Sequence, residues 1–459
     1  MTTVILGGGI VGVTTAYYLA REGRDVVVID RQGGVARETS YANAGLVAPG
    51  HAYTWASPKA PKILLKSLFM EGQALRLKPR IDPRMWAWGL EFLRHCTAER
   101  SRQNTTRKLH LCRYSQERLQ ALSADEGLQY DRVSGGLLYV YRDLPSFERG
   151  TAAMSILADN GLPLQTLTPD EVVRREPSLA SARDKIAGAI FCPSDESGDA
   201  HLFSQDLAKR CERMGVRFLL DRDIQGWEHT GDRITGVRTD KGTVAGTEFV
   251  LSLGSYSPFL ARQLGYKLPI YPVKGYSLTV PIRPGDEPPT LGGVEENHLV
   301  AWARFGDRLR FTATAEFTGY DTSHRPSDFA HMLSVARELF PRGADYDQPS
   351  YWSCLRPMTP SGAPILGKTR HRNLFLNTGH GHMGWTMACG TARIVADIVS
   401  VMPAALAFGG LACSDLHAQL IAWHQVHGRR DEDKFQVIAQ ARQQGVIFAG
   451  GADPQIDLQ

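Results

Sequence analysis

The chain has 459 residues, of which 43% are hydrophobic and 22% are charged, a composition typical of a folded globular protein rather than a disordered one. This length predicts two or three domains. The 52 basic and 48 acidic side chains leave a net charge of only +4, which argues against nucleic acid as a partner.

Cysteine spacing and hydropathy exclude further classes of protein. The seven cysteines are scattered and form no C-x-x-C pair, so the sequence indicates no zinc site, iron–sulfur cluster or redox couple. No stretch reaches the roughly 20 apolar residues of a membrane-spanning helix, and the short apolar run at residues 4–6 is unlike a signal peptide. We therefore expect a cytoplasmic protein with reduced thiols.

The chain opens on a predicted strand at residues 3–6, a glycine-rich turn, a helix at 14–20 and a second strand at 25–30. The turn has the G-x-G-x-x-G spacing of a dinucleotide-binding loop: Gly7 makes the tight turn, Gly9 admits the pyrophosphate, and Gly12 lets the helix pack on the strand. Asp30 ends the second strand 18 positions after Gly12, the place of a ribose-hydroxyl acceptor. The alternative is that Asp30 only begins a turn.

The middle of the chain changes character twice. Residues 57–94 form an insertion that mixes prolines, basic residues and apolar clusters. It is followed by helical stretches to about residue 122 and at 199–214, and by strands at 136–141, 216–220, 234–239 and 248–253. Residues 275–281, 299–305 and 309–316 have the pattern of antiparallel strands, with a Gly306-Asp307 hairpin turn. This region predicts a separate, sheet-rich domain.

A second glycine-rich turn lies near the end of the chain, between a strand at 373–377 and a helix at 385–401. A helix N-terminus at this turn would stabilise negative charge on a reduced flavin, a need that NAD enzymes do not have, so the dinucleotide is predicted to be FAD. His380 and His382 in this turn are an alternative metal pair, but no carboxylate or third ligand is near, and no metal is predicted.

Four motifs closely resemble those of bacterial D-amino acid dehydrogenases, which belong to the D-amino acid oxidase superfamily of flavoproteins. They are segments 39–45, 271–277 and 355–360, and the run Asn-Thr-Gly-His-Gly-His-Met-Gly-Trp-Thr-Met-Ala-Cys-Gly at 377–390. The resemblance implies an α/β and α+β fold. In it a discontinuous Rossmann-type FAD-binding domain (1–50, 96–132, 196–256, 350–411) accompanies a substrate domain built on a large antiparallel sheet (51–95, 133–195, 257–349). Residues 412–459 form an unmatched extension.

The resemblance also implies contacts to FAD. The loop at 39–46 would meet the pyrophosphate and flavin, Ile224 would contact adenine through its backbone, Gly254 would close the phosphate site, and the second glycine turn would lie beside the pyrimidine end of the flavin. With the first glycine loop, the expected cofactor-binding residues are Gly7, Gly9, Ile10, Val11, Gly12, Asp30, Arg31, Thr39, Ser40, Asn43, Ala44, Gly45, Leu46, Ile224, Gly254, Gly379, His380, Gly381, His382, Met383, Gly384, Trp385 and Thr386.

Oxidation of an amino acid at Cα needs a clamp for its carboxylate, and the planar fork of an arginine is the natural one. Arg356 follows a strand-like segment and is the candidate, although an arginine before proline is also a plausible interdomain ion pair. Tyr271 and Tyr276 flank Lys274, and a tyrosine hydroxyl there would add a second carboxylate bond or simply pack. His51 is placed near the flavin or the substrate, or on the surface.

The predicted reaction is the flavin-dependent oxidative deamination of a D-amino acid to a 2-oxo acid and ammonia, with hydride transfer from Cα to flavin N5. One alternative is oxidation of glycine, sarcosine or D-proline and D-hydroxyproline-type amines. Another is a non-catalytic FAD-binding subunit of a larger complex. The resemblance favours a respiratory quinone as electron acceptor. The basic and apolar 57–94 insertion is then either a peripheral element on the inner membrane surface or a packing element of the substrate domain.

Overall fold

The structure is a computed structural model that describes residues 1–67, 75–77 and 81–407. Within these ranges, none of the helices is both long and apolar enough to cross a membrane. The α-helices are α1 (Ile10–Arg21), α2 (Ala60–Ser67), α3 (Pro83–His95), α4 (Ala98–Glu126), α5 (Leu144–Asp159), α6 (Pro169–Arg175), α7 (Ala200–Arg213), α8 (Ser257–Gln263), α9 (Ala330–Leu339) and α10 (Gly384–Ala407).

Short 3-10 helices at Pro49–His51, Pro177–Lys185, Gly254–Tyr256, Pro326–Phe329 and Gly381–Met383 join these elements to the strands. The strands are β1 (Thr2–Leu6), β2 (Asp25–Ile29), β3 (Leu46–Val47), β4 (Leu75–Leu77), β5 (Leu137–Tyr141), β6 (Gln165–Leu167), β7 (Gly188–Cys192), β8 (Glu196–Ser197), β9 (Arg217–Leu219), β10 (Ile224–Thr230), β11 (Arg233–Thr239), β12 (Gly242–Ala245), β13 (Glu248–Leu251), β14 (Tyr271–Pro281), β15 (Gly292–Glu295), β16 (Val300–Phe305), β17 (Arg308–Phe317), β18 (Ser350–Met358), β19 (Ile365–Lys368) and β20 (Leu374–Thr378).

The first sheet has six strands in the order β19-β20-β13-β1-β2-β9, all parallel to their neighbours except β19. Its strands are apolar on both faces because both faces are covered. Ile5 packs with α1, α7 and α10 on one face, whereas Val4 and Leu6 pack with β10, β11 and α8 on the other. The predicted strand-turn-helix-strand unit at the start of the chain is confirmed.

The second sheet has nine strands, in the order β18-β14-β17-β16-β15-β5-β7-β6 with β4 beside β17. Its pairs are antiparallel except β5 with β15 and β4 with β17. Phe305 pairs with Arg308 across the predicted two-residue turn, where Gly306 has a φ of +57°. The large, mainly antiparallel sheet predicted for the substrate region is therefore present, and α9 packs on one of its faces.

Two segments lie apart from the domain to which the sequence assigned them. Residues 350–358 were expected in the FAD-binding domain, but as β18 they pair with β14 at the edge of the nine-stranded sheet. Residues 257–270 were expected in the substrate domain, yet Leu260, Tyr266 and Ile270 pack against the six-stranded sheet. Contacts with segments distant in the chain place both segments, and no local sequence pattern predicts such contacts. The extension at 412–459 lies outside the described residues.

The insertion at 57–94 contributes α2, β4 and α3. One side of α3 presents Met85, Trp88 and Phe92, and these pack against Tyr271 and Phe317 of the nine-stranded sheet. Trp88 also donates a hydrogen bond from Nε1 to the carbonyl of Met358 at 2.8 Å. The inner side of α3 therefore packs on this sheet, which agrees with one of the two predicted roles and leaves the outer side of the helix for the other.

The two longest helices, α4 and α10, cross at very close range beside the six-stranded sheet. Thr97 caps the start of α4 by accepting a hydrogen bond from the amide of Arg100, and Gly127 ends it with a φ of +62°. At the crossing, the amide of Gly390 donates to Ser115 Oγ at 2.9 Å. A Cβ at position 390 would lie 2.7 Å from Ser115 Cβ and 2.9 Å from its Cα, so the crossing requires glycine.

We predict that Gly390→Ala lowers the free energy of unfolding by about 1–3 kcal/mol, because the added methyl group meets backbone that cannot move aside. The matched control is Gly89→Ala in α3, where a Cβ would have no neighbour within 4 Å. That change is expected to be neutral or to stabilise the helix by up to ~1 kcal/mol. Thermal unfolding of both variants measures this, and equal melting temperatures would contradict the close crossing.

Candidate active site

A cavity of about 1150 Å³ runs between the two sheets. One end is walled by the glycine loop after β1, by Asp30 and by Ile224, and the other by Gly275, Ser277 and Arg356 of the nine-stranded sheet. A cavity of this size accommodates a dinucleotide together with a small substrate. The structure thus brings the two groups of predicted site residues into one space.

The first glycine loop has the geometry that its spacing predicts. Gly7 has a φ of +111°, and its amide donates to the carbonyl of Ile29 at 2.8 Å. A Cβ at Gly12 would lie 1.8 Å from the carbonyl oxygen of Gly7. Gly12 therefore lets α1 approach β1 without itself lining the cavity. Gly9, Ile10 and Val11 do line it, and the N-terminus of α1 is directed at this end of the cavity.

Asp30 lines the cavity and also holds the glycine loop in place. Its carboxylate accepts hydrogen bonds from the amide of Gly8 at 2.6 Å and from that of Gln32 at 2.8 Å, and burial raises its pKa. The neighbouring Arg31 lines the cavity as well, pairs with Glu38 at 2.7 Å and covers the ring of Tyr256 at 4.0 Å. A carboxylate has lone pairs beyond these two bonds, so a ribose contact by Asp30 remains a prediction.

The loop at 39–46 wraps the start of α1. Ser40 Oγ accepts from the amide of Ile10 at 3.1 Å, Asn43 Oδ1 accepts from the amide of Gly45 at 2.9 Å, and Thr39 donates to the carbonyl of Leu355 at 2.9 Å. Gly45 has a φ of +69°, and a Cβ there would lie 2.2 Å from Phe305. The cavity-lining residues of this loop include Thr39, Ser40, Asn43, Ala44, Gly45 and Leu46.

The second glycine turn lies beside the start of α1, where Asn377 Nδ2 donates to Thr15 Oγ1 at 3.0 Å. Gly379 and Gly381 have φ values of +76° and +60°, and α10 begins directly after the turn. His380 Nε2 is 2.9 Å from Thr391 Oγ1, and burial lowers the pKa of His380 to about 3. Burial also holds the pKa of His382 well below its ordinary value. Both imidazoles are therefore neutral.

Most of this turn faces the cavity, and Gly254 faces it from the six-stranded sheet. Two predicted contact residues, Gly379 and Thr386, do not line it. Gly379 packs near Thr359, and Thr386 Oγ1 accepts from the amide of Ala48 at 3.1 Å. They support the wall rather than form it. The lining residues here are His380, Gly381, His382, Met383, Gly384 and Trp385.

Arg356 lies on the face of β18 that is directed into the cavity. Its Nη1 donates to the carbonyl of Thr314 at 2.7 Å, and burial lowers its pKa, although a guanidinium stays protonated at neutral pH. In the part of the chain that the structure describes, no carboxylate lies within 4 Å of this guanidinium. An uncompensated buried cation is costly unless an anion joins it, so the geometry suits a carboxylate ligand.

Tyr276 of β14 lines the cavity, but its hydroxyl is not directed at Arg356, so a second carboxylate bond from a tyrosine stays a prediction. Tyr276 and Lys274 share the strand face opposite to Gly275, since side chains alternate. Tyr276 donates its hydroxyl hydrogen to Glu316, and Lys274 donates to the carbonyl of Ser323. Neither side chain is directed towards Arg356.

Tyr271 lies on the same strand face as Arg356 but beyond the cavity wall. It stacks on Phe317 with ring centroids 6.2 Å apart, and its hydroxyl donates to Asp82 Oδ2 at 3.1 Å. The pairing register of β14 decides where the side chains of Tyr271, Lys274 and Tyr276 are directed, and the sequence alone does not report that register.

His51 lines the cavity within a group of polar and aromatic side chains. Its Nε2 is 2.6 Å from the hydroxyl of Tyr53 and 3.1 Å from Glu296 Oε1, and its ring stacks on Tyr139. Next to it, the ring of His382 stacks on Trp55 at 4.9 Å. His51 is thus a cavity residue rather than a surface one.

Two buried charged groups behind this cluster were not identified from the sequence. Asp195 accepts from the amide of Gly50 at 3.0 Å and from the hydroxyl of Tyr139 at 2.5 Å, and burial raises its pKa to about 6. Lys108 donates to the carbonyl of Tyr53 at 3.4 Å, and burial lowers its pKa to about 8. Both pKa shifts favour the neutral form of the group concerned, the carboxylic acid of Asp195 and the amine of Lys108.

The aromatic residues at 53 and 55 carried a weak signal, since they alternate with His51 after Gly50. Glu296, Asp195 and Lys108 carried none, because each lies more than 50 residues from His51 in the chain.

Comparison with known proteins identifies the family. A family model described as DAO, FAD dependent oxidoreductase, matches residues 2–398, so the chain belongs to the DAO family of FAD-dependent oxidoreductases. A protein of Mesorhizobium japonicum named D-amino acid dehydrogenase 2 is 44% identical over 89% of this chain and 100% of its own length. D-amino acid dehydrogenase of Paramagnetospirillum magneticum is 44% identical over 90% of this chain and 98% of its own length.

Two solved structures have a fold similar to that of this chain. Glycine oxidase from Bacillus cereus superposes with a TM-score of 0.67 at 21% identity, covering 87% of this chain and 94% of its own. L-proline dehydrogenase from P. horikoshii superposes with a TM-score of 0.65 at 18% identity, covering 87% and 93%. At this level of identity the likeness concerns the fold alone.

FAD is the cofactor of this family, and the cavity fits it in two respects. Both glycine turns place helix N-termini at the cavity, where negative charge is stabilised. Four buried polar atoms of cavity-lining residues also have no hydrogen-bond partner among the described residues, as expected where a polar ligand binds. These atoms are Ser252 Oγ, Ser277 Oγ, Asn377 Oδ1 and Trp385 Nε1.

The raised pKa of Asp195 predicts a pH-dependent stability. The folded protein holds the proton to about pH 6, whereas an aspartate in the unfolded chain loses it near pH ~4. Wild type therefore loses stability relative to Asp195→Asn as the pH rises from 4 to 6, by roughly 2–3 kcal/mol, and the difference is constant above that.

Melting temperatures of both proteins between pH 4 and 8 check this prediction. Asp159→Asn at an exposed position controls for the change of side chain. A difference between wild type and Asp195→Asn that is the same at all pH values would contradict the assignment.

Proposed function

We propose that the protein is an FAD-dependent D-amino acid dehydrogenase. The observation that carries the proposal is the guanidinium of Arg356, which faces the cavity and has no carboxylate beside it among the residues that the structure describes. The relatives named D-amino acid dehydrogenase, at 44% identity over almost the whole chain, support the substrate class. A D-amino acid, water and an oxidised acceptor give a 2-oxo acid, ammonia and the two-electron-reduced acceptor.

Each part of the cavity has a role in this reaction. Bound FAD supplies the two-electron acceptor for the hydride that leaves the substrate Cα. The glycine loop, Asp30 and the loop at 39–46 would hold its phosphates and ribose, and the turn at 379–385 would hold the ring. Arg356 binds the substrate carboxylate with parallel hydrogen bonds and thereby orients Cα.

The substrate amine must be neutral to lose hydride readily. His51 lines the same cavity as Arg356, with Tyr53 and Glu296 around its Nε2. Its imidazole would accept the proton of the substrate ammonium group. Oxidation leaves an imine, which water hydrolyses, so no catalytic triad is needed. Burial and the nearby Glu296 hold the pKa of Tyr53 well above its ordinary value, so Tyr53 remains a hydrogen-bond donor.

The reaction class is tested by anaerobic bleaching of the bound flavin with matched D- and L-amino acids. We expect bleaching by D-amino acids only, and loss of at least about tenfold in the apparent affinity for D-alanine in Arg356→Ala, since a hydrogen bond to a charged group contributes about 1.5–3 kcal/mol. The exposed Arg149→Ala is the matched control. Bleaching by glycine, sarcosine or L-amino acids alone, or an unchanged affinity in Arg356→Ala, would exclude this assignment.

We further propose that the electron acceptor is a membrane quinone, reached through the 57–94 insertion. Of the twelve exposed large hydrophobic side chains in the described parts of the chain, six lie between positions 63 and 93. On α3, Trp86, Leu90 and Leu93 form a stripe at i, i+4 and i+7 on the side away from the core. Ile63 and Leu64 of α2 line the cofactor cavity, so an apolar acceptor has a route inward.

The insertion suits a lipid surface because exposed basic side chains occur on both of its helices or beside them: Lys59 and Lys62 at α2, and Arg84 and Arg94 on α3, where they pair with Asp82 and Glu91. An amphipathic helix of this kind binds anionic membranes through its apolar face and its positive charge together.

We predict that Trp86→Ser, Leu90→Ser and Leu93→Ser combined reduce co-sedimentation with anionic vesicles by at least about tenfold. Turnover with a water-soluble dye should stay near the wild-type value, because none of the three side chains lines the cavity. Leu144→Ser with Met214→Ser, at exposed positions elsewhere, is the control. Vesicle binding that is absent in wild type, or unchanged in the triple variant, would refute the membrane proposal.

A further inference from the structure

An irregularity in β17 lies directly beside the candidate carboxylate clamp. Across the β14–β17 pair, Lys274 is opposite Glu316 and Tyr276 is opposite Ala313. One residue of β14, Gly275, therefore faces two residues of β17, Thr314 and Ala315, which is a β-bulge. Such bulges redirect the backbone of one strand locally, often next to active sites.

The bulge is built on an unfavourable backbone conformation. Thr314 has a φ of +66°, in the left-handed region that is unfavourable for a non-glycine residue and least accessible to a β-branched one. In this conformation the carbonyl of Thr314 is directed at Arg356, whose Nη1 donates to it at 2.7 Å. A regular strand would direct this carbonyl along the ladder towards its neighbour.

Strand β14 lies between β18 and β17, so the side chain of Arg356 passes over Gly275 of β14 to reach Thr314 of β17. A Cβ at Gly275 would lie 2.5 Å from Nη2 of Arg356 and 2.6 Å from its Cζ. The guanidinium therefore lies against the α-carbon of Gly275, in space that any other residue would fill. Gly275 has no left-handed φ, so contact with Arg356, rather than backbone conformation, explains glycine at this position.

We propose that Gly275 and the bulge at Thr314 are positioning residues that hold the Arg356 guanidinium in one orientation. The carbonyl of Thr314 accepts a hydrogen bond from one N–H group of the guanidinium, and the α-carbon of Gly275 supports the guanidinium plane. The remaining N–H groups of Arg356 are therefore directed into the cavity. Ordering this long side chain before the ligand arrives removes part of the entropic cost of binding. The inference rests on the proposed role of Arg356 as the carboxylate clamp.

The test is Gly275→Ala in the FAD-loaded protein. The added methyl group displaces the end of a flexible side chain, so we expect melting temperature and FAD content to stay at wild-type values. Displacement of a clamp by about 1 Å is expected to lower kcat/KM for D-alanine by ~10- to 100-fold. The dissociation constant of pyruvate, a 2-oxo acid measured by calorimetry without turnover, should rise by at least about tenfold.

A double-mutant cycle separates positioning from a general structural effect. In an Arg356→Lys background no fork remains to be displaced, so Gly275→Ala should change kcat/KM less than about twofold. Thr314→Pro, which holds φ near −65° and turns the carbonyl away, should weaken pyruvate binding in the same way as Gly275→Ala. Gly89→Ala is the control for a glycine substitution without neighbours.

The outcomes distinguish the two levels of the proposal. If Arg356→Ala leaves pyruvate binding unchanged, the clamp itself is wrong. If Arg356→Ala weakens binding but Gly275→Ala does not, the clamp stands and the positioning role is overturned. An equal effect of Gly275→Ala in the wild-type and Arg356→Lys backgrounds would also overturn it, since the effect would then not pass through the guanidinium.

Discussion

The close approach of α1 to β1 is the constraint on which the cofactor end of the cavity depends. A Cβ at Gly12 would lie 1.8 Å from the carbonyl oxygen of Gly7, so the helix can only start where it does if position 12 has no side chain. This contact directs the N-terminus of α1 at the cavity. Asp30 and Ser40 then accept hydrogen bonds from the amides of Gly8 and Ile10, which stabilises the conformation of the loop.

The strand β18 joins the cofactor end to the substrate end. The carbonyl of Leu355 accepts hydrogen bonds from Thr39 and from Ser255, both of which lie on the cofactor side. The next residue, Arg356, is directed into the cavity and is held by the nine-stranded sheet through Thr314 and Gly275. Adjacent residues on one strand thus fix the position of the proposed substrate clamp, Arg356, relative to the loop at 39–46.

Burial determines the charge distribution around the reaction site. Burial keeps His380 and His382 neutral and lowers the pKa of Lys108 to about 8. Arg356 is a cation without a carboxylate partner in the described chain. At the nine-stranded sheet, a ligand carboxylate would therefore meet the buried positive charge of Arg356 in a mainly apolar part of the cavity, where electrostatic attraction is stronger than in water.

The sequence by itself determined the elements whose signals are local. The glycine spacing and the alternation of apolar residues predict β1, α1, β2 and the hairpin of β16 and β17, because turn chemistry and side-chain period act over a few residues. The motifs also predicted FAD, which the family confirms, and they predicted Arg356 as the carboxylate clamp, which stays a prediction. Only the tertiary structure decided that Tyr276 and Lys274 face away from Arg356, that residues 350–358 belong to the nine-stranded sheet, and that Glu296 meets His51. These depend on strand register and on pairings between distant segments, and a shift of one residue would reverse every side chain on a strand.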